Sequence, residues 1–377
     1  MAHNMKKYTV IGAVGVVVLF MLIWGGYVLF DYVFPRFFAP TDTALEQGVI
    51  TEGRDIAVVA SNLEVPWGLT FLPNGDMLVT ERPGTLKRID KETETVTTVD
   101  GVKHRGEGGL LGIALHPQFL ENRYVYLYMT TEVEGGLRNR VMRYTYKNTT
   151  LQNPTPIIED IPGAQFHDGG RIAFGPDEKL YITVGDALNT SAAQDPQKLN
   201  GSILRLNPDG SVPEGNPFDN PVYSYGHRNP QGLAWTENGQ LWAIEHGNDA
   251  QDEVNVIEKG ANYGWPVIRG NETQDNMRSP VRHSGADETW APGGATFVNG
   301  ELFFVGLRGQ SVYEADVTDK EISQIKAHLR TEYGRLRSIV QGPEGGLYIT
   351  TSNRDGRGRP TETDDRIIRI DSQVFEE

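Results

Sequence analysis

The chain contains no cysteine. Disulfides, thiol nucleophiles and thiolate-bound metals are therefore excluded, and any metal must be held through oxygen or imidazole. Positive charge is in deficit. With 35 Lys and Arg against 50 Asp and Glu the formal net charge is −15, which argues against a nucleic-acid backbone as partner. Helical periodicity is scarce as well. Outside one apolar run near the N-terminus, apolar residues alternate in short runs broken by Gly, Pro, Asn and Asp, the pattern of strands and tight turns.

That apolar run covers residues 8–30 without a charged side chain. At ~1.5 Å per residue it is long enough to cross a hydrocarbon core of ~30 Å. Lys6 and Lys7 precede it, so the positive-inside tendency predicts one N-terminal transmembrane helix in an anchor over residues 1–34, with the rest of the chain extracytoplasmic at the cell membrane. A cleaved signal peptide is the rival reading, and the length of the run and the lack of a clear Ala-x-Ala site weigh against it. Residues 35–50 then read as a polar linker and residues 51–377 as the folded domain.

From residue 55 onward one pattern recurs: a Gly-containing approach, a short apolar strand, a Pro/Asn/Asp/Gly turn and a second alternating strand. Six copies fall at 66–80, 107–129, 169–185, 231–247, 293–307 and 336–351. Their spacing of about 40 to 60 residues is that of a four-stranded propeller blade with variable loops. Hairpins in series without crossover helices predict an all-β, six-bladed β-propeller. Residues 366–370 and 55–60 are the natural pair to complete one blade and remove the last free edge.

Within the third copy, residues 165–186 read QFHDGGRIAFGPDEKLYITVGD. A hairpin hinged at the Gly-Pro-Asp turn returns the chain to its starting end, so His167 is predicted to meet Asp186, an arrangement suited to general-base chemistry. Residues at matching repeat positions converge at one mouth of a propeller channel. Those positions hold Glu107, His167 with Asp168, Arg228 with Asn229, and Arg335 with Arg337, and Arg308 follows a strand. Several arginines beside a histidine suit a small polyanion with a polar substrate next to it. Residues 245–253 and 260–266 are rich in carboxylates and Gly-flanked carbonyls, hard oxygen donors of the kind Ca²⁺ takes, although the spacing is not that of an EF-hand. Four Asn-x-Ser/Thr sequons, at Asn148, Asn189, Asn200 and Asn271, would permit glycosylation outside a cell.

Six ordered blocks carry a resemblance: GEGGLLG from Gly106, FHDGGR from Phe166, GHRNPQG from Gly226, residues 245–253, NYGWP from Asn262, and Arg335-Leu336-Arg337. From about residue 65 to its end the chain resembles the soluble quinoprotein sugar dehydrogenases of the glucose/sorbosone dehydrogenase family. The resemblance implies a six-bladed propeller that binds pyrroloquinoline quinone (PQQ) with calcium, oxidises aldose sugars at the anomeric carbon to lactones, and passes electrons to an external acceptor. Matched position by position, it implies His167 as the base, Asp186 as the carboxylate orienting it, and Arg228 as the stabiliser of charge on the quinone oxygen. Glu107, Arg228, Asn229, Arg308, Arg335 and Arg337 match cofactor contacts. The carbonyls of Gly247 and Asn248 match ligands of the cofactor-bound calcium, and Glu253 and Tyr263 match a second, structural calcium. The chain departs from glucose-oxidising members at Glu107, where those carry glutamine, at Arg308, where they carry lysine, and at Asn248, where they carry proline.

Two other classes compete with this reading: a calcium-dependent propeller lactonase or related hydrolase, and a binding-only surface propeller. A hydrolase would gather carboxylates or asparagines on one channel calcium, and Arg228, Arg335 and Arg337 would repel such an ion.

Overall fold

In the computed structural model, residues 45–47, 56–90, 93–371 and 375 are described. The expected span at 8–30, and the anchor it defines, lie outside these residues. Among the described residues, no helix is long and apolar enough to cross a membrane.

Six antiparallel sheets form in sequence order. Blade 1 covers residues 66–98, blade 2 residues 110–162, blade 3 residues 172–225, blade 4 residues 230–283, and blade 5 residues 292–328. Blade 6 takes three strands from residues 336–370 and its fourth from Ile56–Ala60, which runs antiparallel to Ile367–Ile370 with Ile56 opposite Ile370. The six-bladed ring and its closing pair are as the repeat pattern predicts. Blade 5 gains a fifth, parallel strand of two residues, Glu46–Gln47, paired to Lys326 and Ala327.

The second strand of a blade is covered by neighbouring blades on both faces, and it is written accordingly. Met77–Glu81, Leu180–Val184, Leu241–Glu245 and Leu347–Thr351 are buried along their whole length. The described residues form six apolar cores, one per blade-to-blade junction. The junction of blades 1 and 2 centres on Leu78, Leu86, Val125 and Leu127, and that of blades 6 and 1 on Val79, Ile89, Tyr348 and Ile367.

The Gly-containing approaches are explained at the ring centre, where the first strands crowd together. A Cβ at Gly112 would collide with the carbonyl of Gly170, and one at Gly293 with the carbonyl of Arg337. Just past these glycines the first strands of five blades shift register against the second, between Pro66 and Gly68, Leu110 and Ile113, Pro230 and Gly232, Pro292 and Ala295, and Leu336 and Ser338. Bulges re-aim side chains. Here they turn Trp67, Gln231 and Arg337 toward one another across the channel: Arg337 lies 5.7 Å from the Trp67 ring and donates to the Gln231 side chain.

Candidate functional site

The loops that enter the first strands and leave the second strands meet at one mouth. In blade 3, Ile172–Phe174 pairs with Leu180–Val184, and the hairpin brings His167 Nδ1 within 2.7 Å of Asp186 Oδ1. Asp186 is fully buried. Its Oδ1 also accepts from the Leu188 N–H at 2.8 Å and its Oδ2 from the Trp265 indole at 2.9 Å. Burial alone would raise this carboxyl, but His167, Trp265 and the Leu188 N–H hold it below the ordinary carboxylate value. His167 adopts φ +63°, and Gly185 is required opposite it because a Cβ there would strike the His167 carbonyl. The neighbouring Asp168 is buried. It accepts from Asn139 and the Ala164 N–H, and burial raises its carboxyl to about 7. Asn200 is buried with its amide on the Asp186 carbonyl, so that sequon is sealed inside the fold.

Blade 4 supplies Arg228, His227 and Asn229. The Arg228 guanidinium stands 5.3 Å from the Trp265 ring and reaches the carbonyls of His246 and Asn248 at 3.5 Å each, while its backbone N–H donates to Glu245. Glu245 is held on its other oxygen by buried His227, which stacks on Tyr263 at 4.6 Å. The side-chain oxygen of Asn229 accepts from the Gly169 N–H, tying the blade 4 loop to the loop of His167.

Blade 6 supplies Arg335 and Arg337. Arg335 donates twice to Asp355 Oδ2, at 3.0 and 2.9 Å, and once to the Leu307 carbonyl, so much of its hydrogen-bonding capacity is committed within the protein. Arg337 is buried, and that desolvation brings its guanidinium down to about 9. Arg308 follows the second strand of blade 5, with its N–H on the Trp290 carbonyl. Glu107, from the entry to blade 2, accepts from the His167 N–H at 3.0 Å and from Arg357 at 2.9 Å. Burial opposes its ionisation, yet Arg357 and the His167 N–H hold it at about 2.

The four residues matched to metal binding come together. Gly247, Asn248, Glu253 and Tyr263 line one small pocket with Arg228 and Trp265. The Tyr263 hydroxyl donates to the Val256 carbonyl and accepts from the Glu258 N–H, so only its carbonyl remains as a cation ligand. Glu253 accepts from Asn255 and the Gly270 N–H, each at 3.2 Å. Desolvation, with Glu245 and Asp252 nearby, raises it to about 8, the behaviour of a buried carboxylate that lacks a cation.

The site accommodates an anion equally well. Arg228 Nε, Arg337 Nε and His246 Nε2 are buried and meet no hydrogen-bond partner among the described residues. A buried guanidinium donor left unmade is costly, so the two arginine atoms point to a ligand that accepts from them. Arg82, Arg335, Arg337 and Arg357 lie within electrostatic reach of one another, and Arg228 and Arg337 within reach of His246, in a chain whose net charge is −15.

Sequence reasoning assigned no role to Trp265, His246, Asp252, Asp355 or Arg357. His246 is drawn down to about 4 by burial, with help from Arg337 and Arg228, which makes it a neutral imidazole beside the arginines. Asp252 accepts from the Gly247, Trp290 and Ala291 N–H groups and the Thr289 hydroxyl, fixing the loop of Gly247 to blade 5. Trp265 and His246 stood inside quoted motifs and Asp355 and Arg357 did not, since their loop follows the last repeat copy.

A family model described as glucose/sorbosone dehydrogenase matches residues 63–368. Aldose sugar dehydrogenase YliI of Escherichia coli is 30% identical over 337 residues, 80% of this chain and 91% of that protein. Quinoprotein glucose dehydrogenase B of Acinetobacter calcoaceticus is 39% identical over 257 residues, 58% of this chain and 54% of that protein. The solved PQQ-bound aldose sugar dehydrogenase of Streptomyces coelicolor has a TM-score of 0.80 and 40% identity, covering 86% of this chain and 99% of that one. The propeller, the arginine-lined mouth and the extent of these matches lead to one assignment: the chain belongs to the glucose/sorbosone dehydrogenase family.

Proposed function

We propose that this propeller is a PQQ-dependent aldose dehydrogenase that oxidises the anomeric carbon of a sugar to a lactone and passes the electrons to an external acceptor. The observation that carries this reading is the facing pair of a carboxylate-held histidine and buried arginine donors without partners. Bound PQQ, an anionic quinone, would supply the two-electron acceptor for the hydride leaving C1. His167, with Nδ1 held by Asp186, offers Nε2 to the anomeric hydroxyl and takes its proton. Arg228 and Arg337 would hold the anionic cofactor with their unpartnered donors, neutral His246 lying beside them, and Arg228 is braced by the Trp265 ring. Asn229 ties the loop of His167 to that of Arg228, and Arg335 acts through Asp355.

Calcium is the ion we assign here, one beside the cofactor on the carbonyls of Gly247 and Asn248 and a second, structural one on Glu253 and Tyr263. Glu253 and the carbonyls of Gly247, Asn248 and Tyr263 are hard oxygen donors, and the raised Glu253 carboxyl is what a dication would restore to its ionised form. The lactonase alternative is disfavoured because it would leave the buried arginine donors without an anionic acceptor. The test is reconstitution: apoprotein given PQQ and Ca²⁺ should reduce a dye with a panel of aldoses and remain inactive with either omitted. Lactone hydrolysis without PQQ would overturn the reading.

We also propose that residues 8–30 anchor the enzyme in the cell membrane with the propeller outside, on the strength of the uncharged run and the lysines before it. Protease added to intact cells should then digest the propeller, and protection until lysis would reverse the orientation.

A further inference from the structure

We propose that Arg357 and Glu107 form a latch across the channel mouth that positions His167, so that a loop of blade 6 governs the base carried by blade 3. The inference rests on His167 being that base. Arg357 Nη1 donates to Glu107 Oε1 at 2.9 Å across 250 positions of sequence, and Glu107 Oε2 accepts from the His167 N–H at 3.0 Å. The same guanidinium lies 5.5 Å from the ring of Phe166, the residue just before His167. Arg357 therefore grips the loop of His167 twice, through a charge and through a ring.

The need for a grip is visible in the backbone. His167 sits at φ +63°, a left-handed conformation that a non-glycine residue keeps only when its surroundings impose it. Its carbonyl accepts from Ala187 at 3.2 Å and its imidazole is held by Asp186, both from its own blade. Glu107 fixes the remaining N–H from outside. Glu107 cannot swing away freely, because its own N–H donates to the Gln165 carbonyl at 2.9 Å and Gly106 is packed too closely on that carbonyl to admit a Cβ.

At its other end the latch is rooted in blade 6. The Arg357 N–H donates to Asp355 Oδ1, and Asp355 Oδ2 receives both donors of Arg335. Arg82, at the blade 1 mouth in between, contacts the Asp355 carbonyl at 3.5 Å. Arg335, Asp355, Arg357, Glu107 and His167 thus form one chain of contacts over blades 6, 2 and 3. The pair at its centre is part-buried, with 37% and 18% of the two side chains accessible, and it joins two loops that share no strand pairing. Positioning is the role that follows. Each Glu107 oxygen already accepts from the protein, and the His167 N–H is the contact through which Glu107 reaches the base.

The test uses Arg357→Met, Glu107→Met, the double variant and Arg357→Lys, each loaded with PQQ and Ca²⁺. Arg357→Met is the safest to fold, being part-exposed. Misplaced catalytic groups cost up to about 100-fold, so single-turnover reduction of the bound quinone by sugar should slow by roughly 10- to 100-fold in each single Met variant. The double variant should be no slower than Glu107→Met alone, Arg357→Lys should recover part of the rate, and the PQQ dissociation constant of Arg357→Met should be essentially unchanged. In the apoprotein, hydrogen exchange over residues 163–170 should rise in Arg357→Met, a readout independent of turnover. The latch is overturned if Arg357→Met reduces at the wild-type rate, if the single losses multiply in the double variant, or if the PQQ affinity of Arg357→Met falls in step with its rate. His167→Ala separates the two levels: wild-type reduction there removes the base assignment itself, whereas a slow His167→Ala beside a fast Arg357→Met removes the latch alone.

Discussion

Trp265 donates its indole N–H, at 2.9 Å, to the one Asp186 oxygen that His167 does not use. The same ring is flanked by the guanidinium groups of Arg228 at 5.3 Å and Arg269 at 5.4 Å. One side chain thereby fixes the carboxylate behind the base and braces an arginine of the cofactor site.

Trp265→Phe keeps a ring for the arginines and removes the donor. An unmet buried acceptor costs about 1–3 kcal/mol, so the dyad should lose alignment and sugar oxidation should slow by roughly tenfold or more. The expected split is a fall in kcat with little change in KM. A variant with wild-type kcat would show that the indole N–H does not matter to the base.

His167→Ala should bind PQQ as the wild type does, because the arginines and the calcium pocket are untouched, and lose ~10²–10⁴-fold in hydride-transfer rate. Asp186→Asn should lose less. Stopped-flow reduction of bound quinone by sugar is the measurement, and a wild-type rate in folded, loaded His167→Ala protein ends the assignment.

Calcium binding should depend on pH through Glu253. This carboxyl is raised to about 8 in the metal-free protein, so it holds a proton that the unfolded chain would have released. The folded state binds the extra proton between the ordinary carboxylate value and about 8, and stability in chelator should therefore fall as pH rises through that window. Calcium must displace the same proton, so its affinity should climb with pH up to about 8. Unfolding temperatures with and without chelator, at a series of pH values, test both trends. Glu253→Gln should flatten them, and a chelator-insensitive melting temperature would remove the ion from this pocket.

Gly293→Ala should disturb the cofactor site from below. Its new methyl group would meet the Arg337 carbonyl, displacing a strand whose side chain reaches the channel. We expect a lower unfolding temperature together with weaker PQQ binding by fluorescence titration. Loss of stability with unaltered affinity would show that Arg337 tolerates the shift.

The sequence shows the propeller clearly because each blade repeats the same local chemistry: a Gly-bearing first strand, a turn, and a second strand apolar along its length. The dyad was legible for a similar reason, since hairpin geometry alone brings His167 to Asp186. Arg228, Gly247 and Glu253 were legible through motif resemblance. Glu107 was legible as a site residue, but its partner was not. Pairing Glu107 with Arg357 requires knowing how blades 2 and 6 face across a ring, which no local pattern encodes. The same holds for Arg335, whose motif pointed to a ligand while its guanidinium is largely taken up by Asp355, 20 positions on. Long-range polar partners of this kind depend on ring geometry and not on spacing.

Ring closure has a consequence for how the molecule comes into being. Ile56–Ala60 leaves the ribosome roughly 300 residues before its partner Ile367–Ile370. At roughly 5–20 residues per second, that strand waits on the order of 15–60 s with one edge and its apolar side chains unmet. The core between blades 6 and 1, built on Val79, Ile89, Tyr348 and Ile367, cannot exist before then. Premature termination even a few residues before Ile367 would thus yield an open arc with a sticky edge in place of a slightly shortened enzyme. Such chains are natural clients for chaperones during synthesis and for proteases afterwards.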